Sequence, residues 1–185
     1  MAIKTMTVPT GGGLYTEGWH ELKITKAEYG IWKGPKGEKR YIDLWFEKYP
    51  ENSNLRVYEA KNKETGEEFK IAKLFRYANA GIMDVLKDPT GKNPVIQYDD
   101  DASFLIGKSI NVFFYKETQT GNNYTRMLDD VAPVEQETEK LSYTESDVAS
   151  LKKLAETSYQ KRFGNVPMNG TPNLSKDSNQ DDVPF

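Results

Sequence analysis

The chain has no cysteine and a single histidine, His20. Without thiols there is no disulfide framework and no thiolate metal site. One imidazole is a poor supply for zinc catalysis or histidine acid–base chemistry. No apolar run approaches the roughly 18–20 residues that span a bilayer. Met1 to Gly13 also lacks the basic-then-apolar pattern of a secretion signal, so a soluble, cytoplasmic protein is expected, with no membrane partner. Arrangements that point to catalysis are missing too: no Ser–His–acid, Cys–His or paired-carboxylate spacing stands out. Gly107-Lys108-Ser109 ends like a phosphate-binding loop, but Ala102 stands where a further glycine is needed, and a strand follows where a helix should open. Asp99-Asp100-Asp101 reads as a solvated acidic loop without a complete cation ligand set. The expectation is a non-enzymatic protein with no cofactor and no metal.

Basic excess is also lacking, since the formal net charge is −3 over 185 residues. The distribution matters more than the sum. Residues 1–134 hold 19 basic and 19 acidic residues, and residues 135–185 hold 6 and 9. The acidity therefore belongs to the C-terminal stretch. Between Lys23 and Arg40 six cations (Lys23, Lys26, Lys33, Lys36, Lys39, Arg40) face two glutamates. A neutral body with a basic strip suits a polyanion better than the overall charge suggests.

Periodicity divides the body. After the flexible entry at residues 1–13, Trp19 to Trp32 alternates, with Leu22 and Ile24 on one face and Glu21, Lys23 and Thr25 on the other. Turn residues fill Lys33 to Glu38. Alternation resumes with Ile42, Leu44 and Phe46 inward and Tyr41, Asp43 and Trp45 outward, then with Leu55 and Val57 inward and Arg56 and Tyr58 outward. Asn62 to Gly66 reads as a turn that returns through Phe69 and Ile71. Helical spacing of Ile71, Leu74, Phe75, Ala78, Ile82, Val85 and Leu86 predicts a helix over 72–87, ended by Asp88-Pro89-Thr90-Gly91. Strands over 107–116 and 124–131 flank a turn containing Gly121. Three strands, one helix and two strands make a mainly β, α+β chain. That order predicts a five-stranded OB-fold barrel over residues 14–134, with a helix between strands 3 and 4. Beyond it, residues 135–164 form a charged linker and a helix over 144–163, with a capping-box spacing at Ser142 to Glu145. The narrow stripe of Val148, Leu151, Leu154, Ala155, Tyr159 and Phe163 fits docking on the barrel or pairing with a second copy. Residues 165–185 are too poor in apolar side chains to fold and read as a disordered acidic tail.

The aromatics carry the functional signal. Tyr41, Trp45 and Tyr58 fall on the phase opposite to the core positions. Trp32 ends the first strand beside the basic loop, and Tyr124 shares one face of the last strand with Arg126. Rings that stack on bases, with cations for phosphates, form a sequence-tolerant single-strand surface. The expected contacts are Trp32, Tyr41, Trp45, Tyr58 and Tyr124 for bases, and Lys33, Lys36, Lys39, Arg40, Arg56 and Arg126 for phosphates. At the other end, Asp181-Asp182-Val183-Pro184-Phe185 sets a lone ring on an acidic tether, suited to a partner with a basic surface and an apolar pocket.

That ending resembles the acidic tip of bacterial single-stranded DNA-binding proteins, with Val183 where isoleucine is usual and Gln180 where a third aspartate often stands. The run Gly18-Trp19 … Ile24 … Ala27-Glu28, with its Lys/Gly turn, looks like phage-encoded OB-fold single-stranded DNA-binding proteins. The resemblance implies a protein that coats single-stranded DNA in phage replication, recombination or repair and recruits replication or repair proteins through its tip. A protein–protein adaptor without nucleic-acid binding, and an RNA chaperone of cold-shock type, are the alternatives.

Overall fold

The computed structural model describes residues 16–87, 90 and 94–164. The order of elements is β1 (Gly18–Gly34), β2 (Gly37–Phe46), β3 (Leu55–Tyr58), α1 (Lys70–Ala78), β4 (Ile82–Lys87), β5 (Pro94–Tyr98), β6 (Ser109–Gln119), β7 (Asn122–Met127) and α2 (Glu145–Phe163). Five strands form one antiparallel sheet in the order β3-β2-β1-β6-β7, and β4 pairs with β5 alone. No pairing joins β3 to β7 among the described residues, so the sheet is not closed into a barrel by backbone hydrogen bonds. No helix among the described residues is long and apolar enough to cross a membrane.

β1 belongs to two ladders. Its first part, Gly18 to Lys23, pairs with β6, and its remainder, Ile24 to Gly34, pairs with β2. The register shifts between Ile24 and Lys26, and this bulge puts Thr25 and Lys26 both outward while Ile24 and Ala27 stay buried. An extra residue in one strand bends it and increases its twist, which lets one strand wrap around the core and serve both halves. Beyond β3, β1 and β2 continue as a two-stranded ribbon to the Pro35–Lys36 loop. β6 and β7 turn through Thr120 and Gly121, both with positive φ (48° and 83°), as the favoured two-residue hairpin requires.

Alternation predicts the core well. Ile24, Ile42, Leu44, Leu55, Val57, Ile110, Val112 and Phe114 point inward and are almost fully buried, closed over by Leu74 and Phe75 of α1 and by Leu105. Asp99, Asp100 and Asp101 have structural work: Asp101 accepts the Ser103 amide at 2.8 Å, Asp99 accepts that of Asp101 at 3.0 Å, and Asp100 pairs with Arg40 at 2.9 Å.

The helix predicted over 72–87 is shorter. The Glu68 carboxylate accepts the amides of Lys70, Ile71 and Ala72 at 2.8–2.9 Å and starts α1 early, so Phe69 and Ile71 do not form a returning strand. Asn79, in the left-handed region at φ 49°, ends it. Gly81 follows at φ +62°, with Asp99 O 2.2 Å from where a Cβ would stand, so only glycine fits this close approach. The β-branched and apolar run after it then forms β4. Apolar residues at 82, 85 and 86 satisfy a helical period and a bulged strand alike, and the backbone at 79–81 decides between them.

α2 docks on the sheet. Its cap is Thr144 with Asp147, one capping box displaced by two residues from the predicted Ser142–Glu145 pair. Val148, Ala155 and Tyr159 are buried, whereas Leu154 and Phe163 remain exposed. Tyr159 packs on Phe113 and Tyr115, and the Trp19 indole donates to Glu156 at 2.7 Å. At its end Arg162 bonds Asp129 and Asp130, which also hold Lys70 and Lys73 of α1.

Candidate nucleic-acid interface

The polar face of the sheet has two halves. α2 covers the first, over Trp19, Phe113 and Tyr115. The second, on β3, β2 and the far part of β1, stays open. Register assembles it rung by rung: Trp32 lies opposite Lys39, Gly30 opposite Tyr41, Glu28 opposite Asp43 and Lys26 opposite Trp45 on β1 and β2. Tyr58 stands opposite Tyr41, and Arg56 opposite Asp43, on β3. Directly opposed residues in an antiparallel pair share a face. Trp32, Lys39, Tyr41, Trp45, Arg56 and Tyr58 therefore share one face as one continuous row, in which Tyr41, Trp45 and Tyr58 are half-buried.

The rings in this row are held in place. Tyr41 and Tyr58 meet edge to face at 5.7 Å between centroids. The Arg56 guanidinium carbon lies 3.8 Å from the centroid of Tyr41, and the Lys26 Nζ lies 4.4 Å from that of Trp45. The Trp45 indole N–H donates to Glu51 O at 2.8 Å. Trp32 is 40% exposed.

Two glycines shape the row. A Cβ on Gly30 would stand 2.3 Å from Cζ of Tyr41, and one on Gly34 would stand 1.7 Å from the Trp32 ring. Each ring fills the space that a side chain would need, so Gly30 and Gly34 shape this face although neither has a side chain. Glycine within a strand marks such close approaches, and their even spacing on the outward phase of β1 was the available signal. Lys26 was visible only as one of the basic strip, because its outward position depends on the bulge.

Charge on the face is partly compensated. Asp43 is only 8% exposed, and it accepts two hydrogen bonds from Arg56, Nε at 2.8 Å and Nη2 at 2.7 Å. These bonds raise the Arg56 pKa further above its already high range. Lys26 pairs with Glu28 at 3.1 Å. Lys36, at the ribbon tip, and Lys39 have no carboxylate partner among the described residues.

Four predicted contacts lie elsewhere. Arg40 and Lys33 occupy the opposite phase, because Arg40 pairs with Ile31 and Lys33 with Glu38 across the ribbon. The Arg40 guanidinium lies 3.8 Å over the Tyr29 ring and binds Asp100, while Lys33 binds Glu38 at 3.0 Å. Burial first, with nearby acidic groups, pushes the Tyr29 hydroxyl pKa upward against the opposing pull of Arg40. Tyr124 and Arg126 share a face with each other, but on β7, beyond α2. There Arg126 stands opposite Tyr115 and binds Glu117 at 3.0 Å. Adjacency in sequence placed these cations with the rings, and strand phase and sheet order separate them. The tip residues Asp181, Asp182, Val183, Pro184 and Phe185 lie outside the described residues.

No protein-family profile matches the chain, and no curated protein matches it.

Proposed function

We propose that this chain is a non-enzymatic single-stranded DNA-binding protein of phage type, which coats DNA without strong sequence preference during replication, recombination or repair. The observation that supports this reading is the open row of Trp32, Tyr41, Tyr58 and Trp45, interleaved with Lys39, Arg56 and Lys26 and left uncovered by α2. Stacking contributes about 1–3 kcal/mol per base without regard to base identity, and lysines at the ribbon add phosphate contacts that release counterions.

The strand order agrees with an OB-type architecture. β1-β2-β3, then α1, then β6 and β7, with β1 between β2 and β6, is the connectivity of a partly open five-stranded barrel, and β4–β5 is then an insert before its fourth strand. Such barrels bind single strands on the face of their second and third strands and on the loops beside it. On this reading the Pro35–Lys36 tip is one of those loops. The Asp181 to Phe185 tip recruits replication or repair enzymes through its carboxylates and terminal ring.

Titration with oligothymidine, followed by tryptophan fluorescence, tests the reading. Quenching with an affinity that falls as salt rises supports it. Absence of both overturns it in favour of an adaptor, and a clear preference for a matched RNA oligomer overturns the choice of DNA. Removal of Asp181 to Phe185 is expected to abolish partner capture while DNA binding persists.

A further inference from the structure

Lys26 lies over the Trp45 ring, but Tyr41 is the ring of the open row that carries a guanidinium on its π-face. The Arg56 guanidinium carbon stands 3.8 Å from its centroid, the distance of a stacked pair. The tip of the same ring fills the position of the missing Gly30 side chain. A base arriving at the middle of this row therefore meets a guanidinium before it meets a phenol ring.

The guanidinium is also clamped in its own plane. Asp43 takes both of its near N–H groups in a two-pronged bond, at 2.8 and 2.7 Å. Carboxylate and guanidinium forks match in geometry, so two bonds fix the orientation of the plane as well as its position. The Asp43 side chain is largely buried, while that of Arg56 is 40% accessible. A buried carboxylate at the centre of a surface meant for a polyanion is unfavourable in simple electrostatic terms. It is explicable if its task is to hold the arginine.

We infer that the Arg56 plane, rather than the Tyr41 ring, is the central base-stacking platform, and that Asp43 and Gly30 are positioning residues for it. The inference rests on the reading of this face as a single-strand surface. It adds the class of contact: a base stacked on a guanidinium whose charge is already half-satisfied. Guanidinium planes receive bases as aromatic rings do. Because Asp43 shares the charge, Arg56 adds little to the count of neutralised phosphates.

Charge and stacking then predict opposite signs for one substitution. Asp43→Asn removes a negative charge from the face, so electrostatics alone requires tighter DNA binding and a steeper salt dependence. A positioning role requires weaker binding, because the guanidinium loses its clamp. The expected result is a fall of roughly tenfold in affinity for oligothymidine, within the range one stacked base contributes. Arg56→Lys is the second variant. It keeps the charge, sits at a more exposed position, and is expected to lose affinity on the same scale with the salt slope unchanged. Thermal melting of each variant verifies that the fold persists.

Wild-type affinity equal to or below that of Asp43→Asn, or an Arg56→Lys protein that binds as wild type does, overturns the inference while leaving the DNA-binding reading intact. Failure of the wild-type chain to bind any oligonucleotide overturns both. These outcomes are distinguishable within one set of titrations.

Discussion

The indole N–H of Trp19, at the start of β1, donates to Glu156 Oε1 of α2 at 2.7 Å across 137 positions of sequence. This bond belongs to the contact by which α2 covers one half of the polar sheet face and leaves the other uncovered. Tyr159 stands beside it with 6% exposure, packed on Phe113 and Tyr115. Replacing Tyr159 by alanine removes a large buried ring and is expected to cost about 3 kcal/mol, measured by urea denaturation. Oligothymidine affinity is expected to stay near wild type, because the emptied space lies under α2 and not on the open row. A loss of DNA affinity in a folded variant would show that the two halves do not act separately.

Asp130 carries a pH dependence of known sign. Burial acts to raise its pKa, but Lys73, Lys70 and Arg162 outweigh that effect and hold the carboxyl below its usual 3.8. A carboxylate with a depressed folded pKa adds stability that is fully present above the unfolded value. That stability disappears as pH falls through the folded one. Stability from this cluster is therefore expected to be constant above about pH 5 and to decline below about pH 4. Asp130→Asn removes the negative charge that Lys73 and Arg162 share, and Arg162 keeps only Asp129 as a carboxylate partner among the described residues. The cost at neutral pH is expected to be about 2 kcal/mol, less than for a fully buried pair because both cations keep 31% of their side-chain surface in solvent. Chemical denaturation of both proteins as a function of pH measures the difference, which should shrink towards the acid end.

Gly30→Ala separates stability from binding. Its Cβ meets the end of the Tyr41 side chain, so the ring must shift off its packing on Arg56, at an expected cost of about 1–2 kcal/mol. The displaced ring can no longer lie under Arg56, and DNA affinity should fall several-fold. Unchanged affinity, with melting also unchanged, would remove Gly30 from the interface.

The three tryptophans are natural reporters of the two halves. Trp32 and Trp45 lie on the open row, and Trp19 lies against α2. Trp32→Phe and Trp45→Phe should each diminish DNA-induced quenching, and Trp19→Phe should preserve it. Quenching that vanishes only with Trp19 would place the strand on the other half.

Much of this arrangement is legible in the residues. The alternation of Ile42, Leu44 and Phe46 with Tyr41, Asp43 and Trp45 fixes the inner and outer faces of β2, and β3 follows the same rule. Asp43 shows the limit of that rule. Its phase is outward, yet it is buried, because Arg56 and the neighbouring rings cover it. Arg40 shows a second limit. It is adjacent in sequence to Lys39 and Tyr41, and the two-residue period turns it to the other face, against Tyr29 and Asp100. The helix that overruns to 87 shows a third. Periods of two and of 3.6 share several apolar positions in a short run, and the left-handed Asn79 with the crowded Gly81 chooses the strand.

Sequence alone determined the strands of the five-stranded sheet, their buried faces, the helix after β3 and the outward phase of Tyr41, Trp45 and Tyr58. Each is a local property, set by the period of apolar residues within one element. Tertiary structure decided which half of the polar face α2 covers, which cations join the open row, and how Arg56 is laid on Tyr41 and clamped by Asp43. Those outcomes depend on strand register and on contacts such as Trp19 to Glu156, which bring together residues whose spacing in the chain carries no periodic signal.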